Sequence, residues 1–309
     1  MAKPYPIGTP GKPWGEAERA QWRAQQSVQR SYRGEVLDRI DALRDRYEVE
    51  AYGALPYDPD RYPLYVLKSP GLRPDRPTLL VTGGVHGYET SGVQGALRFL
   101  EVAAEAYADR LAVVVVPCVS PWGYETINRW NPGAVDPNRS FFAGSDSPEA
   151  TLLMDWVRGQ GIAPLVHIDL HETTDSDNEE FRPALNARDG KPPEDFSPIP
   201  DGFYTVAPTR NPELDFQRAV IAAVEAVTPI AAPDAEGRII GCPVQAPGVI
   251  LYDKQALHLC GGFTEARFVT TTEVYPDGPS TDPETCIRAQ VAAVRGGLDY
   301  LLAALGPRG

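Results

Sequence analysis

Residues 78–89 read TLLVTGGVHGYE, an apolar run that stops at two glycines and then delivers a histidine and a glutamate three positions apart. A short uncharged run rich in Leu, Val and Thr is how a strand covered on both faces reads, and Gly83-Gly84 ends it. In a turn or a first helical turn, side chains three apart project to the same side, so His86 and Glu89 converge. Open α/β sheets build their sites in the crevice beyond the carboxyl ends of the strands, where this pair would stand. An imidazole nitrogen and a carboxylate oxygen supply two of the three protein ligands of a catalytic zinc, leaving a fourth position for water. Taken alone, the same pair also describes a surface histidine beside a glutamate at a helix start.

Working outward, the pattern is α/β. Upstream, Val36, Leu37, Ile40, Leu43 and Tyr47 recur at helical spacing and predict an amphipathic helix over at least Ser31–Tyr47. Short β-like runs follow at Val49–Tyr52 and Tyr62–Leu67. Downstream, a helix is expected over Ser91–Ala106, then a strand over Leu111–Val116, whose four consecutive valines suit a position covered on both faces. Strand, helix, strand is a parallel crossover, and the alternation continues with a helix over Pro148–Arg158 and a strand over Pro164–Leu170. The polar, proline-containing stretch Thr173–Pro200 reads as a surface excursion and possible substrate wall. A helix over Asn211–Val227, a β-branched run Phe268–Val274, a Pro-Asp-Gly turn and a last helix over Pro283–Leu305 close the chain. The expected fold is a mixed, mostly parallel twisted sheet with helices on both faces, in one domain over residues 1–309 with residues 1–30 as an N-terminal extension.

The second strand to end in chemistry is the one before His171. Residues 167–172 read HIDLHE, and strand alternation puts His167, Asp169 and His171 on one face. His171 stands at the strand end, where the crevice is, and is the better third ligand; His167 reads as a packed histidine behind it. Between the two histidine segments lies NRWNPGAVDPNR, residues 128–139. The planar fork of Arg129 or Arg139 suits bidentate capture of a carboxylate, or a carbonyl whose oxygen becomes negative; ordinary surface ion pairing is the plainer reading.

Composition narrows the partners. The net charge of -13 argues against nucleic acid and anionic membrane surfaces, both of which call for basic patches. No stretch reaches the ~20 apolar residues of a membrane span. The start of the chain lacks the apolar core of a signal peptide, and the four cysteines lie far apart, so reduced thiols and a cytoplasmic location are expected.

In order and spacing, Gly-x-His-x-x-Glu, Pro121-Trp122-Gly123-Tyr124-Glu125, Asn128-Arg129-x-Asn131, Val135-Asp136-Pro137-Asn138-Arg139 and Asp169-Leu170-His171 resemble the zinc carboxypeptidase family. The run Thr270-Thr271-Thr272-Glu273 before a terminal helix looks like the strand that carries that family's catalytic glutamate. The resemblance covers Leu79–His171 and then Phe268 to the end. It implies one zinc ion held by His86, Glu89 and His171, with Asp136 orienting His86. It implies Glu273 as general base for the attacking water, Arg129 as the group facing the carbonyl oxygen, and Asn138 and Arg139 gripping a substrate's C-terminal carboxylate. Tyr252 falls where the family has a mobile tyrosine. Glu265, which also follows a threonine, is the rival base. The chain departs from the family where Ser120-Pro121-Trp122-Gly123 replaces Asn-Pro-Asp-Gly, and Leu257, His258, Leu259 and Cys260 spell neither a basic nor an acidic specificity pocket.

The expected partner is therefore a peptide or small amide with a free carboxylate. Two other readings stand beside it. The aspartoacylase and succinylglutamate desuccinylase group shares the His-x-x-Glu, Asn-Arg and Asp-Leu-His pieces and cuts N-acyl amino acids, but it carries an extra C-terminal β domain. A catalytically inactive relative that binds peptide C-termini would be missing a ligand, an arginine or the base.

Overall fold

The computed structural model describes residues 5–71 and 76–306, so the first four residues of the expected extension lie outside the described residues. Eight strands form one sheet in the order β1-β2-β4-β3-β5-β10-β6-β9. These are β1 (Glu48–Ala54), β2 (Pro63–Lys68), β3 (Thr78–Gly83), β4 (Ala112–Val116), β5 (Val166–Glu172), β6 (Tyr204–Pro208), β9 (Val249–Tyr252) and β10 (Phe268–Val274). The two-residue strands β7 (Arg238–Ile239) and β8 (Cys242–Pro243) make a separate hairpin. The centre, β4-β3-β5-β10, is parallel, whereas β2 joins β4 and β6 joins β10 antiparallel.

Helices cover both faces. They are α1 (Glu16–Ala24), α2 (Asp38–Ala42), α3 (Thr90–Val102), α4 (Pro121–Thr126), α5 (Pro148–Gly159), α6 (Arg182–Arg188), α7 (Leu214–Glu225) and α8 (Pro283–Leu305). On one face Val93, Ala96 and Leu97 of α3, Phe216 and Val220 of α7, and Ala289, Val294 and Leu298 of α8 pack on Leu79, Val81, Ile168 and Leu170. On the other, Leu153, Met154 and Val157 of α5 pack on Leu80, Val114 and Val116. Central strands buried on both sides explain why β3 and β4 carry no charge at all.

Two expectations are corrected. The helix expected over Ser31–Tyr47 is a π-turn, Arg33–Leu37, running into α2 and ending at Ala42. Gly34 weakens the regular helix there, and the wider turn still buries Val36, Leu37 and Ile40. The stretch Thr173–Pro200 is not all irregular: a π-turn, Asp177–Phe181, leads into α6. Pro183, which has no N–H to donate, directly follows that wider turn, and Phe181 and Ala184 turn inward. Among the described residues, no helix is long and apolar enough to cross a membrane, and all four cysteines are free.

Candidate metal centre and active site

The turn after β3 is held by close packing. Gly84 adopts φ +61°, and a Cβ on Gly87 would stand 2.1 Å from the Tyr124 backbone nitrogen of α4. The tight turn presents His86, and Glu89 stands just before α3. His171 arrives on β5. The Nδ1 atoms of His86 and His171 converge on the two oxygens of Glu89, each at 2.7 Å. All three side chains are buried, and their donor atoms lie within 4.8 Å of one another.

The opposite ring nitrogens are turned outward by carboxylates. His86 Nε2 meets Asp136 Oδ1 at 3.0 Å, and His171 Nε2 meets Asp169 Oδ2 at 3.0 Å. Such carboxylates fix ring orientation and raise the basicity of a metal-binding imidazole. Burial opposes charge on Glu89, yet His171 and His86 bring its carboxyl down to about 2. Burial likewise opposes charge on His171, and Glu89 and Asp169 overcome it and raise its pKa. Two imidazole nitrogens and one ionised carboxylate, converging in a buried pocket with their outer atoms already engaged, fit a divalent cation of the zinc type.

Glu273 is the register partner of His171 across β5 and β10, and its carboxylate accepts a hydrogen bond from Thr173 at 2.7 Å. Burial pushes its carboxyl up to about 7, even though His171 pulls the other way. Glu265 is exposed and lines a different groove with Thr264 and Arg267, away from this cavity.

The remaining expected residues line the same cavity of about 180 Å³: Arg129, Asp136, Asn138, Arg139 and Tyr252. Arg129 is tied by two carboxylates, Asp136 at 3.1 Å and Asp177 at 3.2 Å, so its guanidinium is held in place. Asn138 stands 3.4 Å from His171 Nε2 and accepts a hydrogen bond from the Cys260 backbone at 2.7 Å. The Arg139 side chain makes one hydrogen bond among the described residues, to the Asn138 carbonyl at 2.7 Å, and no ion pair. His167 lies apart from the cavity, each ring nitrogen 3.1 Å from a hydroxyl, Thr82 on one side and Thr264 on the other. Together with Asp169 and Cys260 it forms a second buried cluster, whose polar atoms these hydrogen bonds satisfy.

Sequence reasoning did not single out Asp169 behind His171, Asp177 behind Arg129, or Thr173 beside Glu273. The alternation in HIDLH put Asp169 on the face of His171; nothing in the sequence foretold the other two. A buried Gln290 on α8 was also missed: it donates to the His171 carbonyl at 2.9 Å and accepts from Thr272 at 2.6 Å.

The model of a family described as a protein of unknown function (DUF2817) matches residues 71–180. No curated protein matches the chain by sequence. Among solved structures, a proposed metallopeptidase from Shewanella amazonensis is similar with a TM-score of 0.64 and 23% identity, over 90% of this chain and 99% of its own. A metallo-carboxypeptidase from Burkholderia cenocepacia follows at 0.57 and 16%, over 94% and 70%. Another from Pseudomonas aeruginosa, in complex with (2-guanidinoethylmercapto)succinic acid, gives 0.57 and 16%, over 95% and 70%. The fold is thus that of the metallocarboxypeptidases.

Proposed function

We propose that this chain is a zinc carboxypeptidase that hydrolyses the last peptide bond of a peptide. The observation that carries the reading is the pairing of His171 with Glu273 on adjacent strands, facing one cavity in which Arg139 has no carboxylate partner among the described residues. His86, Glu89 and His171 would hold zinc, which when bound supplies a Lewis acid and lowers the pKa of water from 15.7 to about 7.

The protein's own groups do the rest. Arg139 and Asn138 bind the terminal carboxylate of the substrate and so set which bond reaches the site. Arg129, held by Asp136 and Asp177, faces the carbonyl oxygen as it gains charge; removing one such donor typically costs about 10²–10³ in rate. Glu273 takes a proton from the attacking water and returns it to the leaving nitrogen. Its carboxyl, raised to about 7 by burial, suits both acts near neutral pH. Tyr252 walls the cavity on the side of β9.

The cavity supports a second reading. At about 180 Å³ it is smaller than the ~300–1,000 Å³ of common ligand sites. An N-acyl amino acid fills it as well as the end of a peptide does, and the amidohydrolase chemistry is the same.

Metal content by mass spectrometry, for wild type and His86→Ala, joined to residue release from a mixed peptide library, tests the proposal. One zinc per chain lost in the variant, with single residues released by the wild type alone, is expected. Zinc without release, and turnover of N-acyl amino acids instead, selects the second reading; no zinc in either protein overturns both.

A further inference from the structure

Beneath the row His171, Glu273 and Tyr204, the strand register sets a second row on the same face: Thr82, Asp169, Thr271 and Val206. This row is two residues back along β5 and β10 and two residues on along the antiparallel β6, about 7 Å deeper. Thr271 and Val206 reach the cavity and, with Ile240, Leu259 and Tyr252, give it an apolar alcove below Glu273. Behind Thr271 stands Lys254, 1% exposed and the only lysine buried in the described chain; it lines the neighbouring groove that holds Glu265, and its link to the cavity is through Thr271. Its Nζ donates to Thr271 Oγ1 at 2.5 Å, and among the described residues it makes no other hydrogen bond and no ion pair. Asp169 is the nearest candidate for a counter-charge, but its two oxygens are engaged by Thr82 at 2.6 Å and His171 at 3.0 Å.

An ammonium has three donors, and a buried one without a counter-ion is costly, so its retention asks for a partner that arrives. We propose that Lys254, acting with the Thr271 hydroxyl, is the specificity-determining group of the site and selects a leaving residue with an acidic side chain. This rests on the hydrolase reading above. Arg139 takes the α-carboxylate, and the Thr271 hydroxyl, polarised by the Lys254 ammonium that donates to its oxygen, takes the second carboxylate, so the preferred leaving group is a dicarboxylic amino acid. Once the Lys254 proton is donated to Thr271, the threonine hydroxyl is free to point its own hydrogen into the alcove. Burial holds the Lys254 ammonium near a pKa of about 8, which keeps most of it charged at neutral pH, and an incoming carboxylate favours the charged form further. The sequence concealed this: Lys254 lies outside Leu257–Cys260, the residues read for a specificity pocket.

Two measurements test the proposal. In the first, zinc-loaded wild type, Lys254→Met and Lys254→Gln are given acetylated dipeptides ending in Glu, Asp, Gln, Leu or Lys. The wild type should release Glu or Asp at least tenfold faster in kcat/KM than Gln or Leu, and in both variants that ratio should fall to about one. In the second, metal-free protein is titrated calorimetrically with glutarate and with butyrate. Glutarate should bind at least tenfold more tightly, and the advantage should vanish in both variants. A preference for Leu or Lys in the wild type, or a glutarate advantage kept by the variants, overturns the assignment. If no dipeptide is cleaved, the carboxypeptidase reading fails on its own, while the titration still decides the role of Lys254.

Discussion

The proposed role of Glu273 as base rests on what surrounds it. Its carboxyl stands at about 7 because it is buried, and a dication bound beside it favours the ionised form. The base works deprotonated, so kcat/KM should fall as pH drops below 7, with the acid limb displaced to lower pH by the metal. Glu273→Gln should reduce kcat about 10²–10⁴-fold with zinc content unchanged, since a positioned proton acceptor is worth that much. A variant that keeps activity within tenfold of wild type would remove Glu273 from the mechanism. Lys254 makes a different prediction, on stability. Its pKa in the folded chain is about 8 against 10.5 ordinarily, so the unfolded chain binds the extra proton between those values. Stability is therefore reduced below pH 8 and recovers as pH rises toward 10.5, by an amount on the order of 3 kcal/mol. Lys254→Met should raise the urea midpoint at pH 7, and the gain should shrink by pH 10. A lower midpoint for Lys254→Met at pH 7 would show that the lysine stabilises the fold instead.

At the scale of elements, the turn between β3 and α3 carries two of the three side chains proposed to hold the metal and has no room to adjust. Gly87→Ala would drive a methyl into α4 backbone, 2.1 Å from Tyr124 N and 2.3 Å from Ser120 O. The expected cost is about 1–3 kcal/mol or more in stability, with zinc affinity lowered because His86 and Glu89 flank the displaced residue. Equilibrium unfolding and competition with a zinc chelator measure the two effects. This turn was legible in the sequence because an apolar strand, two glycines and a His-x-x-Glu pair leave little else to read. The strand β10 was legible as a β-branched run, and β5 as an apolar stretch whose alternation sets His167, Asp169 and His171 on one face. By contrast, β6 and β9 are only five and four residues long, too short for a periodicity to show. The helix α6 was hidden by its own polar composition. The tie between Arg129 and Asp177 could not be read from sequence at all, because it depends on where a π-turn brings two distant segments together.

Across the whole molecule, the metal strand is braced from behind by the last helix. Gln290 of α8 is fully buried and bonds the His171 carbonyl, the Thr272 hydroxyl and Ser91 Oγ. Gln290→Leu leaves those buried groups short of partners, and a loss of about 1–3 kcal/mol is expected in thermal or urea unfolding. Because Ser91 lies in α3, just after Glu89, and His171 on β5, zinc should dissociate faster from the variant in a stopped-flow chelator assay. An unchanged rate would mean that α8 supports the fold without reaching the metal centre.

The place of β10 in the sheet has a consequence for how the protein comes into being. This strand follows β5, β6 and β9 in the chain, yet it lies in the interior of the sheet, between β5 and β6. A nascent chain halted before residue 267 already contains His86, Glu89 and His171 but leaves an open slot where Glu273 belongs. Growing polypeptides are delivered from the ribosome over many seconds. On the proposed mechanism, a chain at that stage holds the three metal-binding side chains without the proton acceptor, so a half-made hydrolase cannot cut its neighbours.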